Sequence, residues 1–290
     1  MPSTLFKAVL AAAVVGSLGA AAAPERPSAP ARAGSPAPAT ASASASASAS
    51  ANCPVVDVMA VYTPKAAAAA GGTGRVFASA QQIATRMNRS LKASGVCGRI
   101  RIVHPYTATR YQGSEEFSEA YANLRAGTDP ALGREARERR ERYGADLVTL
   151  MVDVSGRGGG TGDYSPRLGP DTDAYAYSVV DVQGIAQDSA SHEIGHNLGL
   201  AHDRTTLAST PDGAMEVNPE HPYNTGWVTE DRSHYTIMAY RSACGDCRRV
   251  SRFSGAEGTW KGMRMGDAAN DSARALRQLM PVVAAYRSPR

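Results

Sequence analysis

One stretch of the chain, SHEIGHNLGLAHD, restricts the fold and the chemistry more than any other segment. It holds three of the six histidines, His192, His196 and His202. His192 and His196 are four residues apart, so on a helix they share a face and both imidazoles can reach one metal ion. A single histidine on a helix is usually an ordinary core or surface residue. Three at this spacing, beside Glu193, indicate a metal site.

Glu193 and Gly199 complete this prediction. Glu193 is rotated by about 100° from His192 around the helix axis, too far for a convenient third ligand but within reach of a metal-bound water. Gly199 ends the helix because glycine tolerates left-handed backbone angles, and the turn lets His202 approach the same metal. Three neutral imidazoles with an open fourth position predict one catalytic Zn²⁺, bound by His192, His196 and His202. Such a zinc lowers the pKa of its water toward ~7, and Glu193 is the expected general base.

The segment YTIMAY, downstream of the histidines, supplies a second piece of the same pattern. Met238 fits the methionine turn that accompanies extended H-E-x-x-H sites. With HEIGHNLGLAHD and this turn, the chain resembles the metzincin family of zinc endopeptidases. It is most similar to the reprolysin (adamalysin-like) branch, and especially to its secreted bacterial members, because Asp203 follows the third histidine. Weaker similarity extends over most of residues 55–286.

The resemblance implies an α/β fold with a twisted, mixed five-stranded sheet and helices, above an irregular C-terminal half, with the active-site cleft between them. It implies that Met238 lies under the zinc without binding it, and that Asp203 supports the site by hydrogen bonding. It also implies that AYAYSVVD, residues 174–181, is the antiparallel edge strand with which an extended substrate peptide pairs.

Two parts of the resemblance leave alternatives open. Tyr240 follows the methionine by two residues, where venom and animal reprolysins usually lack a tyrosine but astacins and serralysins have one that acts as a fifth zinc ligand. Tyr240 is therefore either a ligand or transition-state hydrogen-bond donor, or an ordinary packed tyrosine. Some relatives also bind Ca²⁺, for which the candidates here are Asp57, Asp153 and the pair Asp171/Asp173, although no loop has an EF-hand pattern.

The apolar pattern predicts three buried strands separated by helices, which indicates a largely parallel sheet. The strands are expected at residues 55–62, 100–103 and 146–154, and the helices at 75–94, 115–124 and 131–143. The glycine-rich segment 156–162 is expected to be a flexible loop. A C-terminal helix is expected over 267–286, with Pro281 as a kink or break.

The first 51 residues predict export. Residues 1–23 carry one lysine and then an uncharged run that ends in small residues, the pattern of a secretory signal peptide cleaved after Ala23. An uncleaved anchor is the alternative, but the run is shorter than the ~20 residues of a spanning helix. Residues 24–51 are rich in Ala, Ser and Pro and predict a disordered tether. Residues 52–290 are then expected to form one catalytic domain.

The four cysteines are consistent with an exported protein, where they indicate disulfides with three possible pairings. Cys53–Cys97 is favoured because each residue opens one of the first two predicted strands, whose starts are close if the strands are parallel neighbours. Cys244–Cys247 is then the second pair. A zinc knuckle or redox role for CGDC is the weaker interpretation, since there is no second CxxC and the compartment is oxidising.

These observations predict a secreted, monomeric zinc metalloendopeptidase that hydrolyses extended protein substrates, without stable membrane association. The net charge of +4 does not indicate a nucleic-acid partner, and the densest charge run, 134–142, mixes signs as a solvated helix face does. Two other classes stay open. A catalytically idle zinc-binding or adhesion module would not need Glu193, and a zinc hydrolase of another secreted polymer would not need an edge strand for peptides.

Overall fold

A mixed β-sheet carries the fold and positions the site. The computed structural model describes residues 53–127, 129–210 and 215–288. The strands of this sheet are β1 (Val55–Tyr62), β2 (Arg99–Ile102), β3 (Tyr106–Thr107), β4 (Leu147–Val152), β5 (Gly160–Gly162) and β6 (Tyr177–Asp181). Their order is β2-β1-β4-β6-β5, and β3 pairs with the end of β1. All neighbours are parallel except β5 and β6. The predicted signal peptide and tether lie outside the described residues.

Helices cover both faces of the sheet. They are α1 (Pro64–Ala69), α2 (Val76–Ala93), α3 (Phe117–Ala126), α4 (Glu135–Tyr143), α5 (Ser189–Asn197), α6 (Arg204–Ser209) and α7 (Ser272–Val283). Successive side chains of a strand point to opposite faces. Val58 and Tyr62 of β1 therefore pack with residues of α2, α5 and α7, whereas Met59 and Val61 pack with residues of α3 and α4. The predicted α/β class with a mostly parallel sheet is confirmed.

The C-terminal part is less regular, as expected. Beyond α6 it contains two small sheets and α7. The strands β7 (His234–Tyr235) and β8 (Arg248–Arg249) pair in parallel, and β9 (Thr259–Trp260) and β10 (Met263–Arg264) pair antiparallel. In the described ranges, no helix combines the length and the apolar character that crossing a membrane requires.

The assignment of AYAYSVVD as the antiparallel edge strand is wrong. Its strand, β6, lies inside the sheet, is parallel to β4, and is buried at all five positions. Burial on both faces explains the near-continuous apolar run, which is typical of interior parallel strands. The antiparallel edge strand is β5, within the segment predicted to be a flexible loop. Its glycines have no side chains that could show a strand pattern.

Two expectations about helices also need correction. The C-terminal helix begins at Ser272, where Asp271 accepts a hydrogen bond from the Arg274 amide, and it continues through Pro281 as far as Val283. The charge run on α4 is not wholly solvated. Arg140 is buried and donates to the carbonyl oxygens of residues 145, 146 and 173.

Both predicted disulfides are present. Cys53 and Cys97 have Cα atoms 5.2 Å apart and join the starts of β1 and β2, where Val55 is paired with Arg99. Cys244 and Cys247 have Cα atoms 5.8 Å apart. The disulfide leaves no thiolates for the zinc-knuckle interpretation of CGDC.

Candidate active site

Helix α5 brings the first two histidines and Glu193 into the interior. All nine of its residues are buried, and Ile194 and Leu198 belong to the core cluster shared with α2 and α7. Asp188 precedes the helix, and its backbone carbonyl accepts from the His192 amide at 3.0 Å. Its carboxylate accepts from Arg86 at 2.9 Å and from the hydroxyl of Ser251. These contacts fix the start of α5 against both halves of the molecule.

The three imidazoles converge through their Nε2 atoms. His196 Nε2 lies 3.1 Å from His192 Nε2 and 3.0 Å from His202 Nε2. The opposite ring nitrogens of the first two have fixed partners: His192 Nδ1 donates to the carbonyl of Ile237 at 2.7 Å, and His196 Nδ1 donates to the carbonyl of Leu200 at 2.8 Å. Because a carbonyl only accepts, each Nδ1 carries the hydrogen, and both of these Nε2 atoms present bare lone pairs in the neutral ring.

The electrostatics keep the cluster neutral. Burial lowers the pKa of His192 well below its ordinary value and lowers the pKa of both His196 and His202 to about 3. Lone pairs facing each other at this distance repel unless a cation lies between them. Tetrahedral zinc bonds of about 2.0–2.1 Å place ligand nitrogens about 3.3–3.4 Å apart, near the observed spacing. The residues present therefore fit a zinc ion.

Gly199 makes the turn that returns His202 to the cluster. Its φ is +83°, in the left-handed region that favours glycine. A Cβ at this position would lie 2.8 Å from Leu279 Cδ1. The turn also places Leu200 so that its amide donates to Gly195 and its carbonyl faces His196. The predicted role of Gly199 in ending the helix thus has two physical reasons, backbone angle and space.

The side chain of Glu193, a residue of α5, packs against the edge strand β5. Burial raises the pKa of its carboxyl to about 8, and the charge of Arg249 opposes part of this shift. A Cβ on Gly160 would lie 2.8 Å from Glu193 Cγ, and one on Gly162 would lie 3.3 Å from Glu193 Oε2. The glycines of β5 therefore allow the strand to pass directly against this carboxylate. The raised pKa suits a group that accepts a proton and then releases it.

Met238 packs beneath the helix, as the turn motif predicts. It is fully buried, and a Cβ added to Gly195 would lie 2.5 Å from its Sδ atom. The residue before it, Ile237, supplies the carbonyl that holds His192. The methionine turn therefore acts on the cluster through backbone and packing contacts.

Asp203 and Tyr240 link the end of the motif to the methionine turn. Asp203 is buried and accepts from the Thr206 amide at 3.0 Å, which caps α6, and from the Tyr240 amide at 3.2 Å. The Tyr240 ring centroid is 5.2 Å from that of His192 and 4.6 Å from that of His202. Burial raises the pKa of Tyr240 to about 12, and the charge of Glu193 adds to this. Its hydroxyl therefore remains a donor at neutral pH.

The calcium candidates do not come together. Asp57 pairs with Arg101 and Asp173 pairs with Arg287, while Asp153 accepts from the Ser155 amide. Within the three described ranges, the group of histidine, cysteine and acidic side chains close enough to hold a metal is His192, His196 and His202. The expectation of a calcium site is not supported.

Sequence reasoning missed three contributors to the site: the glycines of β5, Asp188 and Arg249. Asp188 and Arg249 act through contacts that join distant segments, so no local spacing reveals them. The glycines did carry a signal, since a cluster of glycines marks places where backbone must approach another group closely.

The fold and the site together define a class. A mostly parallel sheet, a histidine cluster formed by the helix beside its edge strand and by the turn that follows the helix, and a methionine turn packed under that helix are the features of a metzincin-type zinc metallopeptidase.

The comparisons with known proteins agree. The family model Reprolysin_5, described as metallo-peptidase family M12, matches residues 53–254, and the chain belongs to this family. The family implies a zinc cofactor. The predicted resemblance to metzincin metallopeptidases of the reprolysin type is therefore confirmed.

Two curated relatives are similar over different lengths. Peptidyl-Asp metalloendopeptidase of Pseudomonas aeruginosa is 30% identical over 213 residues, which cover 69% of this chain and 34% of that protein. Serralysin of Photorhabdus luminescens is 37% identical over 68 residues, covering 23% of this chain and 13% of that protein. The chain thus spans about a third or less of the length of these relatives.

A solved structure shares the fold. It is described as "Structure of a chaperone-substrate complex" and superposes with a TM-score of 0.59 at 18% identity, covering 82% of this chain and 35% of that chain. At this identity the likeness concerns the fold alone.

Proposed function

We propose that the protein is a zinc-dependent endopeptidase. The observation that carries this proposal is the convergence of three Nε2 atoms within a buried cluster, with Glu193 placed between that cluster and an open edge strand. His192, His196 and His202 are the proposed zinc ligands. Three protein ligands are the number that catalytic zinc sites use, and they would leave room at the ion for water or substrate.

In the proposed mechanism, Glu193 moves the proton. Zinc held by His192, His196 and His202 would supply the positive charge that polarises a scissile carbonyl and acidifies water. The Glu193 carboxylate accepts a proton from the attacking water and returns it to the nitrogen of the leaving amine. The Tyr240 hydroxyl, protonated at neutral pH, donates a hydrogen bond to the oxygen on which negative charge develops.

Strand β5 is the proposed binding site for the substrate backbone. The Asp163 amide donates to the Tyr177 carbonyl, and the Asp181 amide donates to the Gly159 carbonyl. These two bonds show which residues of the β5 segment direct their backbone groups toward β6. Inward and outward bonding alternate along such a strand, so the backbone groups of Gly160 and Gly162 point to the free edge. An extended peptide that pairs there passes directly over Glu193.

The substrate class follows from one relative. The name of the Pseudomonas protein, peptidyl-Asp metalloendopeptidase, indicates action at aspartyl residues. We carry this over as part of the proposal: the chain cleaves extended peptides beside aspartate. Arg249, the cation whose charge acts on Glu193, is consistent with an acidic substrate group near the scissile bond.

Secretion is proposed on separate grounds. Two disulfides indicate an oxidising compartment, and residues 1–23 have the pattern of a signal peptide. We propose that residues 24–51 are a tether, that 52–290 are the catalytic domain, and that the enzyme acts as a monomer. Expression in a secreting host should place protein that begins at Pro24 in the medium; retention of the uncleaved chain in the membrane fraction would refute export in this form.

The deciding experiment is casein cleavage by the purified protein and by Glu193→Gln, with zinc measured in both. The native protein should contain about one zinc and cleave, and the variant should keep zinc while losing about 10²- to 10⁴-fold in rate. Zinc in both without cleavage of casein or of a broad peptide library would favour an idle zinc-binding module. Absence of zinc from both would overturn the assignment of the ligands.

A further inference from the structure

Arg249 lies at the beginning of the active-site helix. It belongs to β8, where it is paired with Tyr235 of β7, and its guanidinium sits 5.4 Å from the centroid of the Tyr235 ring. One terminal nitrogen donates to the backbone carbonyl of Gln187, two residues before α5 begins. The aromatic ring and the carbonyl together hold the guanidinium in one place.

The charge of Arg249 is directed at the reacting groups. Its positive charge opposes part of the rise that burial causes in the pKa of Glu193 and of Tyr240. The same charge adds to the lowering of the His192 pKa. The geometry agrees with this: the Gln187 carbonyl that Arg249 contacts is five residues before His192 and six before Glu193, which places the guanidinium at the amino-terminal end of the active-site helix. A substrate group beside the scissile bond would lie within the same field.

The guanidinium has donor capacity that the protein does not use. Its Nε atom is buried and has no hydrogen-bond partner among the residues that the structure describes. No carboxylate of the described residues lies within 4.0 Å of it, and the nearby Asp188 is already engaged by Arg86 and Ser251. A buried donor without a partner is unfavourable, and a hydrogen-bond acceptor supplied by a ligand would remove that cost.

Arg140 shows what a purely structural arginine looks like in this fold. It is also buried, but its guanidinium donates to three backbone carbonyls, those of Ala145, Asp146 and Asp173. Arg249 has a single carbonyl partner. Arg249 therefore keeps donors that Arg140 has already used, and the planar guanidinium matches the bidentate geometry of a carboxylate.

We infer that Arg249 is the specificity-determining residue that binds the carboxylate of an acidic substrate side chain adjacent to the scissile bond. This inference rests on the proposed endopeptidase function. It adds the residue responsible for the substrate preference, and it distinguishes binding of the side chain by Arg249 from binding of the backbone by β5.

The test is a competition between peptides that differ at one residue. A peptide with Asp next to the cleaved bond is mixed with its Asn counterpart, and mass spectrometry gives the ratio of their kcat/KM values and the position of the cut. Native protein should prefer Asp by about 10- to 100-fold, as expected for a charge-assisted hydrogen bond. Arg249→Gln should reduce the ratio to less than about threefold. Because both peptides meet the same sample, partial unfolding of a variant does not alter the ratio.

Arg248→Gln is the matched control. Arg248 is the exposed neighbour on the same two-residue strand, so its replacement removes the same charge from a solvent-exposed position. The Asp preference should be retained in this variant. A preference lost equally in both variants would show a general charge effect and overturn the assignment of Arg249.

A binding measurement separates failure of the inference from failure of the proposed function. In the Glu193→Gln background, fluorescence anisotropy should show tighter binding of the labelled Asp peptide than of the Asn peptide, and adding Arg249→Gln should remove the difference. Cleavage by the native protein with no Asp preference would overturn the inference and leave the endopeptidase assignment intact. Selective binding without any cleavage would support Arg249 and refute the enzymatic activity.

Discussion

Two hydrogen bonds decide the character of the histidine cluster. The carbonyls of Ile237 and Leu200 fix the hydrogen on Nδ1 of His192 and His196, and burial keeps both rings neutral. The Nε2 lone pairs are therefore aimed inward before any metal arrives. Such preorganisation reduces the reorganisation that metal binding requires.

The depressed histidine pKa values predict acid sensitivity of the metal-free protein. The folded pKa of His196 is about 3 against 6.5 in a model peptide, so the unfolded state binds more protons between these values and stability is lost as pH falls below 6.5. Glu193 shifts the opposite way, because its raised pKa makes stability fall as pH rises from 4.5 to about 8. The experiment therefore uses a Glu193→Gln background.

In that background, the chelator-treated protein should lose stability from pH 7 to pH 5, with His196 contributing about 2 kcal/mol. His196→Asn replaces the Nδ1 donor with an amide and removes the titration, so the loss should shrink by about that amount. Urea unfolding at the two pH values measures it. An unchanged pH dependence in the Asn variant would contradict the assignment to His196.

Tyr240 is predicted to act in the transition state. Tyr240→Phe retains the ring that packs beside His192 and His202 but removes the hydroxyl. We expect kcat to fall by about 10- to 100-fold with little change in KM and with full zinc content. Loss of zinc would show that the hydroxyl is a ligand, and an unchanged kcat would show that Tyr240 only packs.

At the scale of single residues, the sequence predicted what local spacing encodes. The histidines, Glu193 and Gly199 were identified because helix geometry alone relates them. The sequence did not identify Arg249, because its contact with Gln187 spans 62 residues and its unpaired donor is visible only in three dimensions.

Strand β5 packs closely against helix α5 at Glu193. The strand consists of Gly, Thr and Gly, and its closeness to the helix depends on missing side chains. A Cβ on Gly160 would lie 2.5 Å from the Val179 carbonyl oxygen as well as near Glu193. Strand β5 therefore cannot accept a side chain at position 160 without moving.

Gly160→Ala should therefore displace the edge strand and lower kcat/KM by at least about tenfold, because small misplacements at a reacting centre cost about 10²-fold. Gly74→Ala is the control, since no atom lies within 4 Å of a Cβ at that position and its φ is not left-handed. It should leave kcat/KM unchanged. Equal activity of both variants with casein would refute the proposed role of β5.

Helices and strands were predictable from the sequence where the periodicity of apolar residues was strong. β1 has the predicted bounds, and α2 and β4 lie within two residues of theirs. The exchange of roles between β5 and β6 was not predictable from the apolar pattern, because two of the three residues of β5 are glycines and the five residues of β6 are too few to tell an interior strand from an edge strand. Of the two expectations for Pro281, a kink or a break, the break is wrong, because α7 gains enough burial from the core to continue past the proline.

At the scale of the whole molecule, the two disulfides should differ in their effect. Cys53–Cys97 closes 44 residues and Cys244–Cys247 closes three. By loop-closure entropy, Cys53→Ser with Cys97→Ser should cost about 4 kcal/mol, and Cys244→Ser with Cys247→Ser about 1.6 kcal/mol. Thermal unfolding of the two double variants would measure the order, and a larger loss from the short loop would contradict it.

The length of helix α5 has a consequence for when activity appears. A helix of nine residues is marginal in water on its own, and one of its histidines is held by a carbonyl 45 residues further along the chain. The cluster therefore depends on contacts of high sequence separation, which form late because loop closure precedes them. A nascent or unfolded chain has the motif but no assembled site. Latency before folding is thus built into the topology, because the proposed active site is assembled only when segments distant in the sequence have come together.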